Sequence, residues 1–268
     1  LHSRLVELGD TRVRRLGGDR AGEMRITRFL RNRAVTVHEM IATAFKRTAS
    51  RVQGRHILAI QDTTDARTNG DNTGTALHPM IAVDAADGAL LGLIHAEFLR
   101  RPGGRPDRWK LPYEAKESAR WLRATRQAAG LQQAGAASVT VVADRECDIY
   151  EDLAGRPTGI DVLIRASHDR LLADRRRLFA TADALPEAGR MTVDLSAAPG
   201  RRARTATLSL RFTTVQIARP ADRKRHAELA ALPHTVSLSL IDARELDPPE
   251  GVPTAHWRLL TSHAVNST

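Results

Sequence analysis

A single cysteine, Cys147, stands in 268 residues, which excludes an internal disulfide and any zinc site built from several thiolates. Aromatic residues make up only 4% of the chain, so the core must be filled mainly by aliphatic side chains. No apolar run approaches the roughly 20 residues that a membrane-spanning helix needs. The N-terminus also lacks the build of a secretory signal, and the cytoplasm is the expected location. Lysine is scarce: Lys46, Lys110, Lys116 and Lys224 stand among 41 basic residues, and the rest are Arg. His56, His78, His95 and His168 show no H-x-x-x-H or related spacing, which argues against a histidine-based metal site. The chain opens on Leu rather than Met, as a fragment or a processed product would.

What is present in excess is positive charge. Against 31 acidic residues the 41 basic ones give a formal charge of +10, and the pI is about 10.9. A GC-rich genome favours Arg codons for no functional reason, yet the net charge itself favours a polyanionic partner, nucleic acid first. The hydrophobic content of 42% suits a chain that buries a full core, as one large domain or two smaller ones.

Two stretches organise the chain. Val139-Thr140-Val141-Val142-Ala143 runs straight into Asp144, and Ile57-Leu58-Ala59-Ile60 runs through Gln61 into Asp62. Unbroken apolar runs of this length predict buried strands of a parallel sheet, and open α/β sheets place their chemistry at such strand ends. If the strands are neighbours, the two carboxylates lie about one strand spacing, ~5 Å, apart. They then repel unless a cation or a proton separates them.

Around these strands the pattern predicts a basic, helical region over 1–55, with an Arg-rich cluster at Arg25–Arg33 and helical spacing at Val37, Ile41 and Phe45. This region reads either as a solvated helical hairpin or as an arm over nucleic-acid phosphates. A polar loop is expected at 65–77, then a hairpin with Met80–Val83 and Ala89–Phe98 about a turn at 84–88. A Pro/Gly/Arg loop over 101–112 leads to a helix from Tyr113 to Leu131. A short helix from Asp148 to Leu153 follows the second acidic strand, and Asp161–Ser167 reads as another buried strand. Residues 170–256 change texture, with alternating strands at 203–217 and 234–241 that suggest a β-rich insertion. His256–Ser262 closes the chain as a last strand. The expected organisation is 1–55, a helical DNA-binding remnant; 56–169, the first part of a core; 170–256, the insertion; and 257–268, a return to the core.

An Asp at a strand end is often only a cap for nearby backbone N–H groups. Two at matching strand ends in this order point instead to a divalent cation, because hard oxygen donors suit Mg²⁺ or Mn²⁺. Two such ions assist phosphodiester cleavage from both sides, and a pair of ions calls for a third acid. Glu146 and Asp148 are near in sequence, but both fall on the strand-to-helix turn, where Asp148 suits an N-cap. Arg165 is either an ion-pair partner or a phosphate clamp, and Trp257 either core or a stacking platform. Cys147, between two carboxylates, reads as a small apolar filler rather than a reactive thiolate.

The segments Ile57–Thr64 (ILAIQDTT), Ala143–Tyr150 (ADRECDIY), Lys116–Leu122 (KESARWL) and His256–Ser262 (HWRLLTS) together resemble the bacterial cut-and-paste DDE transposases of the insertion-sequence-four group. Leu8-Gly9-Asp10 and Arg28-Phe29-Leu30-Arg31-Asn32 are similar to pieces of that family's N-terminal DNA-binding region, which marks Arg28 and Arg31 as DNA contacts. The resemblance implies an α/β fold with a ribonuclease-H-like mixed sheet, flanking helices and a β-rich insertion. It implies double-stranded DNA (transposon ends and target) as partner, a homodimer in the synaptic complex, and a bacterial, nucleoid-associated location. The implied chemistry is Mg²⁺-dependent (or Mn²⁺-dependent) strand cleavage, hairpin formation and strand transfer. Asp62 and Asp144 match the first two metal-binding acids, Arg165 a basic residue near the DNA backbone, and Trp257 a residue that stacks on a flipped base. The family's third acid, a Glu in a Tyr–Arg–Glu–Lys helix beyond this tryptophan, has no counterpart before Thr268. The spacing from Leu8 to Arg28 is also shorter than in the family. The expectation is therefore a truncated transposase, inactive alone. The alternatives are a non-catalytic DNA-binding remnant that competes with intact transposase, and a metal-dependent nuclease or phosphatase recruiting Glu146.

Overall fold

A computed structural model describes residues 2–66, 74–100, 111–197, 202–221 and 226–267. Most of the loops expected at 65–77 and 101–112 lie outside the described residues. The chain divides into two compact units, Leu1–Lys46 and Arg47–Thr268.

The first unit is helical, with α1 (His2–Leu8), α2 (Val13–Gly17), α3 (Arg20–Arg31) and the start of α4 (Val37–Ala49). Helix α3 is well specified at both ends. The Asp19 carboxylate accepts from Gly22 N at 2.6 Å, Glu23 sits in the first turn, and Arg28 and Arg31 occupy the last. Acid at the N-terminus and base at the C-terminus both complement the helix dipole. Helices α2 and α3 meet backbone to backbone, since a Cβ on Gly22 would fall 2.1 Å from the Gly17 carbonyl oxygen. Leu16 is buried, while Met24, Phe29 and Leu30 stay exposed.

The second unit is an α/β structure on one large mixed sheet with flanking helices. Its strands are β1 (His56–Gln61), β2 (Thr64–Ala66), β3 (Thr75–Asp84), β4 (Leu90–Arg100), β5 (Ser138–Ala143), β6 (Ile160–Arg165), β7 (Gly189–Leu195), β8 (Arg204–Ala218), β9 (Thr235–Glu245) and β10 (His256–Thr261). Among the described residues their order is β2-β3-β1-β5-β6-β10-β9-β8-β7, with β4 also on β3. The two apolar runs are adjacent parallel strands, β1 on β5 and β5 on β6, and the other pairs are antiparallel.

Helix α5 (Arg120–Gln133) packs on β1, β4, β5 and β6 and buries Trp121, Leu122, Ala124, Ala128 and Leu131. The sheet meets it with Ile57, Ala59, Val139, Val141, Val162 and Ile164, all buried. Each of these Ile and Val side chains contributes about 1.5–3 kcal/mol on burial. The short helices α6 (Tyr150–Ala154), α7 (Leu178–Asp183) and α8 (His226–Ala230) complete the unit.

Several expectations need correction. The helix expected from Tyr113 becomes α-helical only at Arg120. Two 3-10 turns precede it, separated by Lys116 in an extended conformation (φ −78°, ψ 148°). The hairpin is longer than the sequence suggests, because β2 and the first residues of β3 occupy the ends of the expected loop. The β-rich segment joins the main sheet through β10 and contains an additional strand, β7. The short helix starts at Tyr150 with Ile149 as its N-cap residue, so Asp148 does not cap it.

In the hairpin, Gly92 sits where the β3–β4 register shifts and has φ +146°. A Cβ there would meet the Thr48 hydroxyl at 2.4 Å, the same hydroxyl that donates to the Leu93 carbonyl. Glycine is required on both counts.

Candidate metal centre

The three parallel strands run in step. Ile60 pairs with Val142, Val142 with Leu163, and Ala143 with Ile164. Continuing that register sets Asp62, Asp144 and Arg165 level in one row at the carboxyl edge of the sheet, on one face, at strand spacings of about 5 Å. Strand β10 places Leu259 opposite Arg165, so Trp257 follows two residues further along on that face.

Each aspartate sits where its strand gives out. Strand β1 ends at Gln61 and β2 resumes at Thr64. The Asp62 carboxylate turns back to accept from Thr63 N at 2.7 Å through Oδ1. Asp144 Oδ1 accepts from Glu146 N at 2.8 Å and caps the 3-10 turn Arg145–Cys147. The capping role weighed from sequence is therefore real for both. It engages one oxygen of each exposed side chain, and no described residue bonds to either Oδ2. Two exposed carboxylates with unengaged oxygens, level on neighbouring strands, form a donor set that fits a hard divalent cation such as Mg²⁺ or Mn²⁺. Among the described residues no group of three or more His, Cys, Asp or Glu is placed to hold a metal.

A polar network lies directly beneath this edge, and sequence reasoning missed it. Arg120, at the first turn of α5, has a side chain only 7% exposed. Its Nε donates to Thr63 Oγ1 at 2.9 Å, its Nη2 to Glu146 Oε2 at 2.9 Å, and its Nη1 to the Glu117 carbonyl at 3.1 Å. The fully buried His78 lies 2.8 Å from Thr63 Oγ1 through Nδ1 and 3.1 Å from Gln61 Oε1 through Nε2. Gln61 Nε2 in turn donates to Thr125 Oγ1 at 3.3 Å. Burial first, and the nearby Arg120 charge second, push His78 down to about 4, so it is neutral at physiological pH. The Trp121 ring meets His78 edge to face at 4.6 Å between centroids and carries the Arg120 guanidinium at 5.1 Å.

The other singled-out residues fall as follows. Arg165 is exposed, and its Nη2 donates to the His256 carbonyl at 3.4 Å, with no carboxylate partner among the described residues. It thus meets the residue that precedes Trp257. Trp257 is half-buried against Leu195, Ala206, Leu208, Ala243 and Ala255. Arg28 and Arg31 are exposed on α3 in the first unit. Cys147 is buried, and burial, followed by Asp152 and Asp148, pushes its thiol well up. An inert filler is what such a group can be. Asp148, also buried, accepts from Ser167 N at 2.7 Å, His168 N at 2.9 Å and Arg170 Nε at 2.7 Å. It clips the turn after β5 to the segment after β6.

No protein-family model matches the chain.

Proposed function

We propose that this chain belongs with the DDE-type transposases and binds double-stranded DNA, with Asp62 and Asp144 as the residues that would hold a divalent cation and with no residue assigned as the third acid that strand cleavage in that family needs. The observation that carries the reading is the row Asp62–Asp144–Arg165 at one sheet edge, which the register of β1, β5 and β6 supports. The order β4-β3-β1-β5-β6, with β3 antiparallel to both β4 and β1 and with β5 and β6 parallel to β1, supports a ribonuclease-H-like core. The strands β7, β8 and β9 correspond to the β-rich insertion. Asp62 and Asp144 would hold the cation, which when bound would supply the positive charge that phosphodiester cleavage draws on.

The chain's own residues have separate tasks in this reading. Asp62 and Asp144 hold the cation, and Arg165 contacts a phosphate of the bound strand. Arg28 and Arg31 neutralise phosphates of the transposon end. Trp257 presents the exposed part of its ring to a displaced base. The ion pair between Glu146 and Arg120 counts against the alternative in which Glu146 serves as the third metal ligand.

Two measurements test the reading. Fluorescence anisotropy of a labelled duplex, repeated over a range of NaCl concentrations, should show binding that weakens steeply with salt. Mn²⁺ binding, followed by the loss of the free-ion paramagnetic resonance signal, should be abolished in Asp62→Asn and Asp144→Asn. Salt-independent or absent duplex binding would sink the DNA assignment, and unchanged Mn²⁺ binding in both variants would sink the metal assignment.

A further inference from the structure

Carboxylates on neighbouring strands repel where no cation lies between them, and the hydrogen bond that each accepts stays within its own turn. Beyond the backbone pairing of β1 with β5, a continuous path through side chains joins the two turns. Asp62 is followed by Thr63, whose hydroxyl accepts from Arg120 Nε. The Nη2 of the same guanidinium donates to Glu146, and the Glu146 backbone N–H donates to Asp144.

We infer that Arg120 and Thr63 form a strut that sets the distance between the Asp62 and Asp144 turns, so that the cation site is organised by residues that never touch the cation. The inference rests on the metal assignment proposed above. Three features of the geometry favour it. The guanidinium is a planar fork, so its bonds to Thr63 and Glu146 keep fixed relative directions, which a lysine cannot reproduce. It is buried at the start of α5, a helix packed on β1 and β5, so the strut is anchored to the strands that carry the aspartates.

The third feature is the direction of the hydrogen bonds. His78 Nε2 faces the Gln61 side-chain oxygen, an acceptor, so the ring proton resides on Nε2 and Nδ1 accepts from the Thr63 hydroxyl. With its only proton committed to His78, Thr63 Oγ1 is left as an acceptor for Arg120. Gln61 continues the chain to Thr125 on α5. The network thus has one self-consistent arrangement, running from Arg120 through Thr63, His78 and Gln61 back to the helix that bears Arg120.

The test compares Thr63→Val, which is nearly isosteric but lacks the hydroxyl, with Thr63→Ser, which keeps it. Mn²⁺ affinity is read by paramagnetic resonance and thermal unfolding is read in parallel. Thr63→Val should bind Mn²⁺ about ten-fold more weakly, the order of effect seen when residues behind a metal ligand are removed, and Thr63→Ser should bind as the parent does. Arg120→Lys, which keeps the charge and loses the fork, should also bind more weakly. Parent-like Mn²⁺ affinity in Thr63→Val and Arg120→Lys, with Asp62→Asn abolishing binding, would overturn the strut and leave the metal site standing. Undiminished binding in Asp62→Asn would overturn the metal site and the strut together. An affinity loss in Thr63→Val that Thr63→Ser does not restore would also overturn the strut, because the hydroxyl would then not be the cause.

Discussion

The pH dependence of stability should be governed by two buried groups that pull in opposite directions, and single substitutions should separate them. Asp152 is 5% exposed, accepts from the Tyr113 hydroxyl through Oδ1, and has no partner at Oδ2. Burial outweighs the Tyr113 hydrogen bond and lifts its carboxyl from 3.8 to about 7. Between those values the folded chain keeps a proton that the unfolded chain releases. The contribution of Asp152 to stability is therefore complete below pH 3.8 and is lost as pH rises to about 7, a change of about 4 kcal/mol at ~1.4 kcal/mol per pH unit. His78 behaves inversely. Its folded value of about 4 lies below the ordinary 6.5, so the unfolded chain binds the extra proton. Its contribution is complete above pH 6.5 and is lost as pH falls to about 4, a change of about 3 kcal/mol. The two nearly cancel in the parent protein. Asp152→Asn should unmask His78 and give a stability that rises with pH relative to the parent, by several kcal/mol between pH 4.5 and 7. His78→Gln should give the reverse slope. Urea unfolding followed by far-ultraviolet circular dichroism at pH 4.5, 5.5, 6.5 and 7.5 measures both, and referring each variant to the parent removes the common titrations. Parallel profiles for the parent and Asp152→Asn would refute the reasoning.

Other consequences are simpler. Asp148→Ala leaves two backbone N–H groups and the Arg170 guanidinium without their shared acceptor. It should lower stability by about 3–5 kcal/mol in urea unfolding. Gly92→Ala demands both a strained φ and a clash with the Thr48 hydroxyl. Its melting temperature should fall, with little recovery in a Gly92→Ala/Thr48→Ser double variant, because the hydroxyl remains. Arg28→Ala and Arg31→Ala should each reduce the slope of log K against log salt for duplex binding by about 1. An unchanged slope would remove that arginine from the DNA interface.

How much of this was legible follows from how local each signal is. The two apolar runs ending in Asp62 and Asp144 declared two parallel strands, because a run buried on one face and at least half-buried on the other leaves its mark in consecutive residues. Strand β7 left no such mark. Leu195 is its only buried residue and Met191 is exposed, since it lies at the sheet's end and pairs with β8 alone. Asp148 suited an N-cap by position, but its acceptor role depends on donors about twenty positions later. Trp257 was left between core and platform, and the structure shows its ring half-buried on the β7–β8 cluster.

The site divides along the same line. The acids are written at strand ends, where a window of a few residues reveals them. What holds them is not local: Thr63 and Arg120 are 57 positions apart, and Arg120 and Glu146 are 26. Neither Thr63 nor Arg120 has an unusual neighbourhood in the chain, apart from lying inside the ILAIQDTT and KESARWL segments. Once α5 is docked on β1 and β5, a buried guanidinium at that point must find acceptors, because an unpaired charge there costs several kcal/mol. Besides the Glu117 carbonyl, the acceptors it finds belong to the two aspartate turns. The folding requirement of one buried arginine and the geometric requirement of the carboxylate pair are thereby met by the same hydrogen bonds, so a substitution at Arg120 should disturb stability and cation affinity together, and Thr63→Val, which strips the hydroxyl from His78 and Arg120 but leaves the charge paired with Glu146, should lower stability by less, about 1–3 kcal/mol.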